Sequence, residues 1–245
     1  LHLSLRRQRQ MCIRDSPRGI GPTWRWLRVN SRPRMAYIFD TGPLFKFLAT
    51  DCVPQLISAI GGSTVVVPEA VDFEIHDTPN RRPQFRHARD VWKKFPPRFR
   101  DVIPDSPSKE LRRCCNQVFG IDLETLYRHK KDLGENMMLL HGLSRAHAGE
   151  KVVLICDDQG GIAKTKEQIR VLRHRQHLGT CPTEGSLSYA ETTSLLHWAI
   201  EVGSFKSQEH FIKKYNMMAE LDEALPKKVK DTGLTKRPPW PPVDH

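Results

Sequence analysis

The chain has no apolar run approaching the roughly 20 residues of a membrane-spanning helix, so no membrane partner is expected. It has no Cys-x-x-Cys pair and no Cys/His spacing of a zinc site. With no signal peptide, its six cysteines (12, 52, 114, 115, 156 and 181) read as reduced thiols of a cytoplasmic protein, not as a disulfide framework. Acidic residues are scarce at one end. Residues 1–34 hold nine arginines and a single acid, whereas the rest of the 245 residues carries 30 basic and 27 acidic side chains. The formal charge of +11 is therefore mostly a property of the first segment, and it says little about what the main body binds.

Residues 1–34 also lack a helical or strand period and the long apolar stretch of a secretory signal. They resemble translated sequencing-adaptor read-through and are expected to be disordered or artefactual, with Met35 as the candidate start. A basic targeting or RNA-binding arm is the functional alternative.

From Ala36 onward the chain is a succession of short apolar runs, several of which end in an acid. The run Ala36-Tyr37-Ile38-Phe39 stops at Asp40-Thr41-Gly42-Pro43, after which helical spacing begins and continues to Ile60. Thr64-Val65-Val66-Val67 is a β-branched run suited to a strand buried on both faces, and Pro68 starts a helix carrying Glu74. A loop is expected at 77–83, a helix over 87–95, a short strand near 101–104 and a capped helix from Ser106 to Phe119. Asp132-Leu133-Gly134-Glu135 opens a long apolar helix. Lys151–Cys156 is the third strong strand, ending in Asp157-Asp158 before another helix. Gly179-Thr180 is read as the end of a last short strand. Helices are expected over 188–202 and 208–221, with a Lys- and Pro-rich tail from Pro226. Strands alternating with helices predict an α/β fold, a central parallel sheet flanked by helices in three layers. The arginines between 81 and 100 are read mainly as a solvated face, with an RNA-backbone contact as the alternative.

In a parallel sheet all strand ends of one kind share an edge, so Asp40 and Asp157 are expected to converge there, joined by helix-borne Glu74 and Glu135. Crowded carboxylates repel unless a cation compensates. An all-oxygen donor set suits Mg²⁺ or Mn²⁺, ions that promote phosphodiester hydrolysis. Each acid also has a plain structural alternative. Asp40 suits a helix cap, Asp132 and Glu135 suit a helix N-terminus, Glu74 suits an exposed helix face, and Asp157-Asp158 suits a turn.

Ile38-Phe39-Asp40-Thr41, Val66-Val67-Pro68-x-x-Val71-x-x-Glu74, Asp132-Leu133-Gly134-Glu135, Leu154-Ile155-Cys156-Asp157-Asp158 and Gly179-Thr180 occur in that order over residues 35–200. As a set they resemble the PIN-domain ribonucleases, especially the compact prokaryotic kind that includes VapC-type toxins. The resemblance implies a Rossmann-like nuclease domain over 35–205 with a helical insert at about 77–131. A C-terminal helix and basic tail over 206–245 have no clear counterpart. It implies a Mg²⁺- or Mn²⁺-dependent endoribonuclease with Asp40, Glu74, Glu135 and Asp157 as catalytic acids. Asp132 and Asp158 would join the metal ligands, and Thr41 and Thr180 would orient them. RNA would be the substrate, an antitoxin and a second copy of the chain possible partners, and the cytoplasm the setting.

Other classes fit less well. Phe39-Asp40-Thr41-Gly42 matches the aspartic-protease signature, but that chemistry needs two aspartates sharing a proton and an all-β setting. A haloacid-dehalogenase-like phosphatase needs an acid two residues after the nucleophile, where Gly42 stands. A catalytically inactive PIN-like module that binds RNA or a partner remains the runner-up.

Overall fold

The computed structural model describes residues 35–129, 131–236 and Trp240, so the expectations for residues 1–34 lie outside the described residues. The sheet has five strands, all parallel: β1 (Ala36–Phe39), β2 (Val65–Pro68), β3 (Arg100–Ile103), β4 (Lys151–Ile155) and β5 (Ser186–Ala190). Their order is β3-β2-β1-β4-β5. The chain moves outward from β1 through β2 to β3, then crosses back to β4 and β5. The order therefore reverses between β1 and β4, the place where open α/β sheets hold ligands. Among the described residues no helix is long and apolar enough to cross a membrane.

Strand alternation sorts the core into two layers. Tyr37, Phe39, Val65, Val67, Val153 and Ile155 face one cluster, whereas Ile38, Val66, Val152 and Leu154 face the other. The first layer is covered by α1 (Thr41–Ala49), α2 (Val53–Ala59), α4 (Arg86–Lys93), α9 (Thr192–Glu201) and α10 (Gln208–Ala219). The second is covered by α5 (Lys109–Phe119), α6 (Leu123–Arg128) and α7 (Leu133–His147), with Leu172 of α8 (Gln159–His177). Each large side chain buried here contributes about 1.5–3 kcal/mol relative to exposure. The apolar runs at β1, β2 and β4 are unbroken because both of their faces are covered.

Several boundaries differ from the sequence reading. Helix α3 (Glu69–Arg81) runs straight through the expected loop, with Pro79 buried inside it. The segment 77–131 is not an appendage. It supplies edge strand β3, which pairs in register with β2 from Val65↔Arg100 to Pro68↔Ile103. The last strand is Ser186–Ala190 rather than Gly179-Thr180, and α9 correspondingly begins later than expected. β5 alternates as Ser-Leu-Ser-Tyr, as a half-covered edge strand does, and its pattern mimics the start of a helix.

The C-terminal segment also belongs to the core. Phe211, Tyr215 and Met218 of α10 are completely buried, and Leu225 and Leu234 pack into the same cluster. Tyr215 donates its hydroxyl to the carbonyl of Pro226 at 2.6 Å, and the Phe211 and Trp240 rings lie 5.2 Å apart. The Lys- and Pro-rich composition hid these isolated apolar anchors.

Candidate active site

Two backbone bonds extend the strand ladder past its ends and place the site. Asp40 donates its N–H to the Ile155 carbonyl at 2.9 Å, and Cys156 donates its own to Ala190 at 3.1 Å. Asp40 and the Cys156-Asp157 pair are thus fixed side by side at the carboxyl edge, at the reversal point between β1 and β4. Asp40 stands at the N-cap position of α1 with extended backbone but makes no regular side-chain capping bond; the Thr41 and Gly42 N–H groups at the helix start act on its carboxyl.

Glu74 comes in from α3. Thr41 donates its hydroxyl to Glu74 Oε2 at 2.5 Å, and Glu74 Oε1 stands 2.8 Å from where a Cβ on Gly134 would project. Glu135, in the first turn of α7, comes equally close to α8. A Cβ on Gly161 would lie 2.8 Å from its carboxyl carbon and 3.1 Å from Cys156 Sγ. Cys156 Sγ in turn lies 4.0 Å from Asp40 Oδ2. Two glycines without side chains therefore let three carboxylates approach, from the end of β1, the second turn of α3 and the first turn of α7.

The electrostatics follow from burial first and from that crowding second. Burial pushes the Asp40 carboxyl up to about 7; the Glu74 and Glu135 charges add to the rise, and the Thr41 and Gly42 backbone N–H groups oppose it. Glu135 is also raised by burial, and Asp158 and Asp132 add to this. Lys164 offsets it through a 2.8 Å bond from its Nζ to Glu135 Oε1. Burial and the neighbouring Asp40 hold the Cys156 thiol well above its ordinary value, so it stays neutral. Among the described residues, no ion pair involves Asp40 or Glu74.

The remaining sequence candidates are placed differently. Asp157 turns away from this group. Its Oδ1 accepts the Thr192 N–H at 2.7 Å, and its Oδ2 accepts the Thr192 hydroxyl at 2.6 Å and Lys46 Nζ at 2.9 Å. Asp158 caps α8 by accepting the Gly161 N–H at 2.9 Å. Asp132 is exposed, in a left-handed turn (φ 57°) before α7, and reaches Glu135 only through its charge. Thr180 is not at the site. Its hydroxyl donates to the Arg175 carbonyl at 3.0 Å at the far end of α8, a helix about 28 Å long that starts from Asp158. Thr192, at the end of β5, occupies the place expected of Thr180. Arg81 ends α3, seven residues and roughly 10 Å along the helix axis beyond Glu74.

Sequence reasoning missed Thr192, Lys46, Lys164 and the two packing glycines. Lys46 carried a readable signal: it is a lone cation within Pro43-Leu44-Phe45-Lys46-Phe47-Leu48, and a lysine inside an apolar helix face needs a buried acid.

With side chains as placed, no three His, Cys, Asp or Glu residues among those described are arranged to hold a metal ion. The donor chemistry of Asp40, Glu74 and Glu135 nevertheless suits a hard divalent cation. All donors are carboxylate oxygens, and such an ion would offset both the burial that raises Asp40 and the repulsion from Glu74 and Glu135 that adds to it. Fold and site together define a parallel α/β protein with an acidic cluster at its topological switch point. No family model, no curated protein and no solved structure matches this chain.

Proposed function

We propose that this chain is a metal-dependent endoribonuclease that hydrolyses phosphodiester bonds at the carboxyl edge of its sheet. The observation that carries the reading is the convergence of Asp40, Glu74 and Glu135 on one edge, where burial raises Asp40 to about 7 and the two neighbouring carboxylates add to the rise. These three residues would hold Mg²⁺ or Mn²⁺, which supplies charge neutralisation and an acidified water for the hydrolysis. The chain's own contribution is placement. The Thr41 hydroxyl fixes the rotamer of Glu74, Lys164 holds Glu135, and the neutral Cys156 thiol walls Asp40 without adding charge. RNA as substrate rests on the ordered PIN-like motifs. The same resemblance extends the proposal to a toxin with an antitoxin and a second copy of the chain as candidate partners.

The test is cleavage of a structured RNA with Mg²⁺, Mn²⁺ or EDTA, using wild type and Asp40→Asn. Metal-dependent cleavage that disappears in Asp40→Asn supports the proposal. RNA binding without cleavage would move the chain to the non-catalytic module, and neither binding nor cleavage would sink the RNA reading.

A further inference from the structure

Lys46 is completely buried, and its Nζ lies 2.9 Å from Asp157 Oδ2 and 2.7 Å from Asp222 Oδ2. The Gly42 carbonyl, in the turn after Asp40, lies 3.5 Å from the same nitrogen. Asp157 is itself only 8% exposed. Counting its two bonds from Thr192, it accepts three short hydrogen bonds, of the roughly four that a carboxylate can take. Its lone pairs are nearly filled, and its charge faces an ammonium that it shares with Asp222. Asp222, by contrast, is 30% exposed and reaches the lysine from the segment after α10.

We propose that Lys46 is a built-in cation that commits Asp157 to a structural anchor, so that the metal-holding set is Asp40, Glu74 and Glu135 alone. The ammonium stands where a second divalent ion would otherwise be needed to neutralise Asp157. It ties four pieces of chain together under the site: the first turn of α1, the end of β4, the start of α9 through Thr192, and the C-terminal segment through Asp222. The 206–236 segment thereby becomes part of the site's floor. A buried ion pair that loses one partner leaves an uncompensated charge, so the two residues are substituted together in the test.

This inference rests on the metal-dependent reading, and Mn²⁺ titration by calorimetry separates the two. Wild type should bind one Mn²⁺ per chain. Asp40→Asn and Glu135→Gln should weaken it at least tenfold, while the double variant Lys46→Met/Asp157→Asn should stay within threefold of wild type. If wild type binds Mn²⁺ but the folded double variant loses it as severely as Asp40→Asn, the exclusion of Asp157 from the metal-holding set is overturned and the metal reading stands. Two Mn²⁺ of comparable affinity in wild type overturn it equally, without reliance on any variant. A wild type that binds no Mn²⁺ overturns the functional reading itself, and this inference with it.

Discussion

Glu74 and Gly134 meet across the gap between α3 and α7, with Glu74 Oε1 2.8 Å from the position a Gly134 Cβ would occupy. The atom in the way is the far end of a flexible side chain, so Gly134→Ala should be tolerated by the fold. It should even gain up to about 1 kcal/mol of helix propensity. The cost falls on function, because the displaced Glu74 must leave Thr41. The expected result is an unchanged or higher urea midpoint together with at least tenfold weaker Mn²⁺ binding. Unaltered Mn²⁺ affinity in Gly134→Ala would show that Glu74 does not need this position.

Thr41 separates orientation from charge. Thr41→Val keeps the shape but removes the 2.5 Å bond to Glu74, and it should cost about 1 kcal/mol of stability and slow RNA cleavage. Thr41→Ser keeps the hydroxyl and should retain most of the activity. Equal rates in the Val and Ser variants would show that the hydroxyl has no part in orienting Glu74 for cleavage.

Asp40 links the site to pH. Its carboxyl is raised to about 7 in the folded chain, above its ordinary unfolded value of 3.8, so the native state takes up the proton first as pH falls. Its contribution to stability therefore grows as pH drops from about 7 toward 4, and ionised Asp40 destabilises the fold at pH 8. Asp40→Asn should melt a few degrees higher than wild type at pH 8, with the difference closing towards pH 4. A gap that is constant with pH would mean that Asp40 titrates as an ordinary surface acid.

Lys46 should be the most costly single change near the site. Lys46→Met leaves Asp157 buried without its cation and should cost about 3–5 kcal/mol, the range for breaking a buried pair. Adding Asp157→Asn should recover part of that loss. Asp222→Asn should cost much less, since Asp222 keeps solvent contact and Lys46 retains Asp157. Additive losses in urea melts of Lys46→Met and Asp157→Asn would show that the pair is not coupled.

Truncation tests the C-terminal packing. Ending the chain at Ala224 removes Leu225 and Leu234 from the core, along with the Pro226 carbonyl that accepts the Tyr215 hydroxyl. The shortened chain should lose several kcal/mol, at about 1.5–3 kcal/mol per buried side chain. An unchanged melt would return the segment to the status of a tail.

The sequence by itself determined the parallel α/β architecture and the edge where Asp40, Glu74 and Glu135 gather. Its evidence was local: the apolar runs of β1, β2 and β4 are buried on both faces, Asp40 and Glu135 sit at joints that a parallel sheet must bring to one side, and Glu74 follows β2 in the second turn of its helix. Where pattern was ambiguous it misled. β5 alternates like a half-exposed edge and was displaced to Gly179-Thr180, and α3 carries a proline that composition reads as a break. Only the tertiary structure decided how Asp157 is used. Its cation lies 111 residues away in α1, its hydroxyl partner is Thr192, and Asp222 closes the bridge from the segment after α10. Periodicity reports which face of an element is buried. It cannot report which charged groups from distant elements meet inside, because that pairing is set by the packing of whole layers and by the cost of leaving either charge alone.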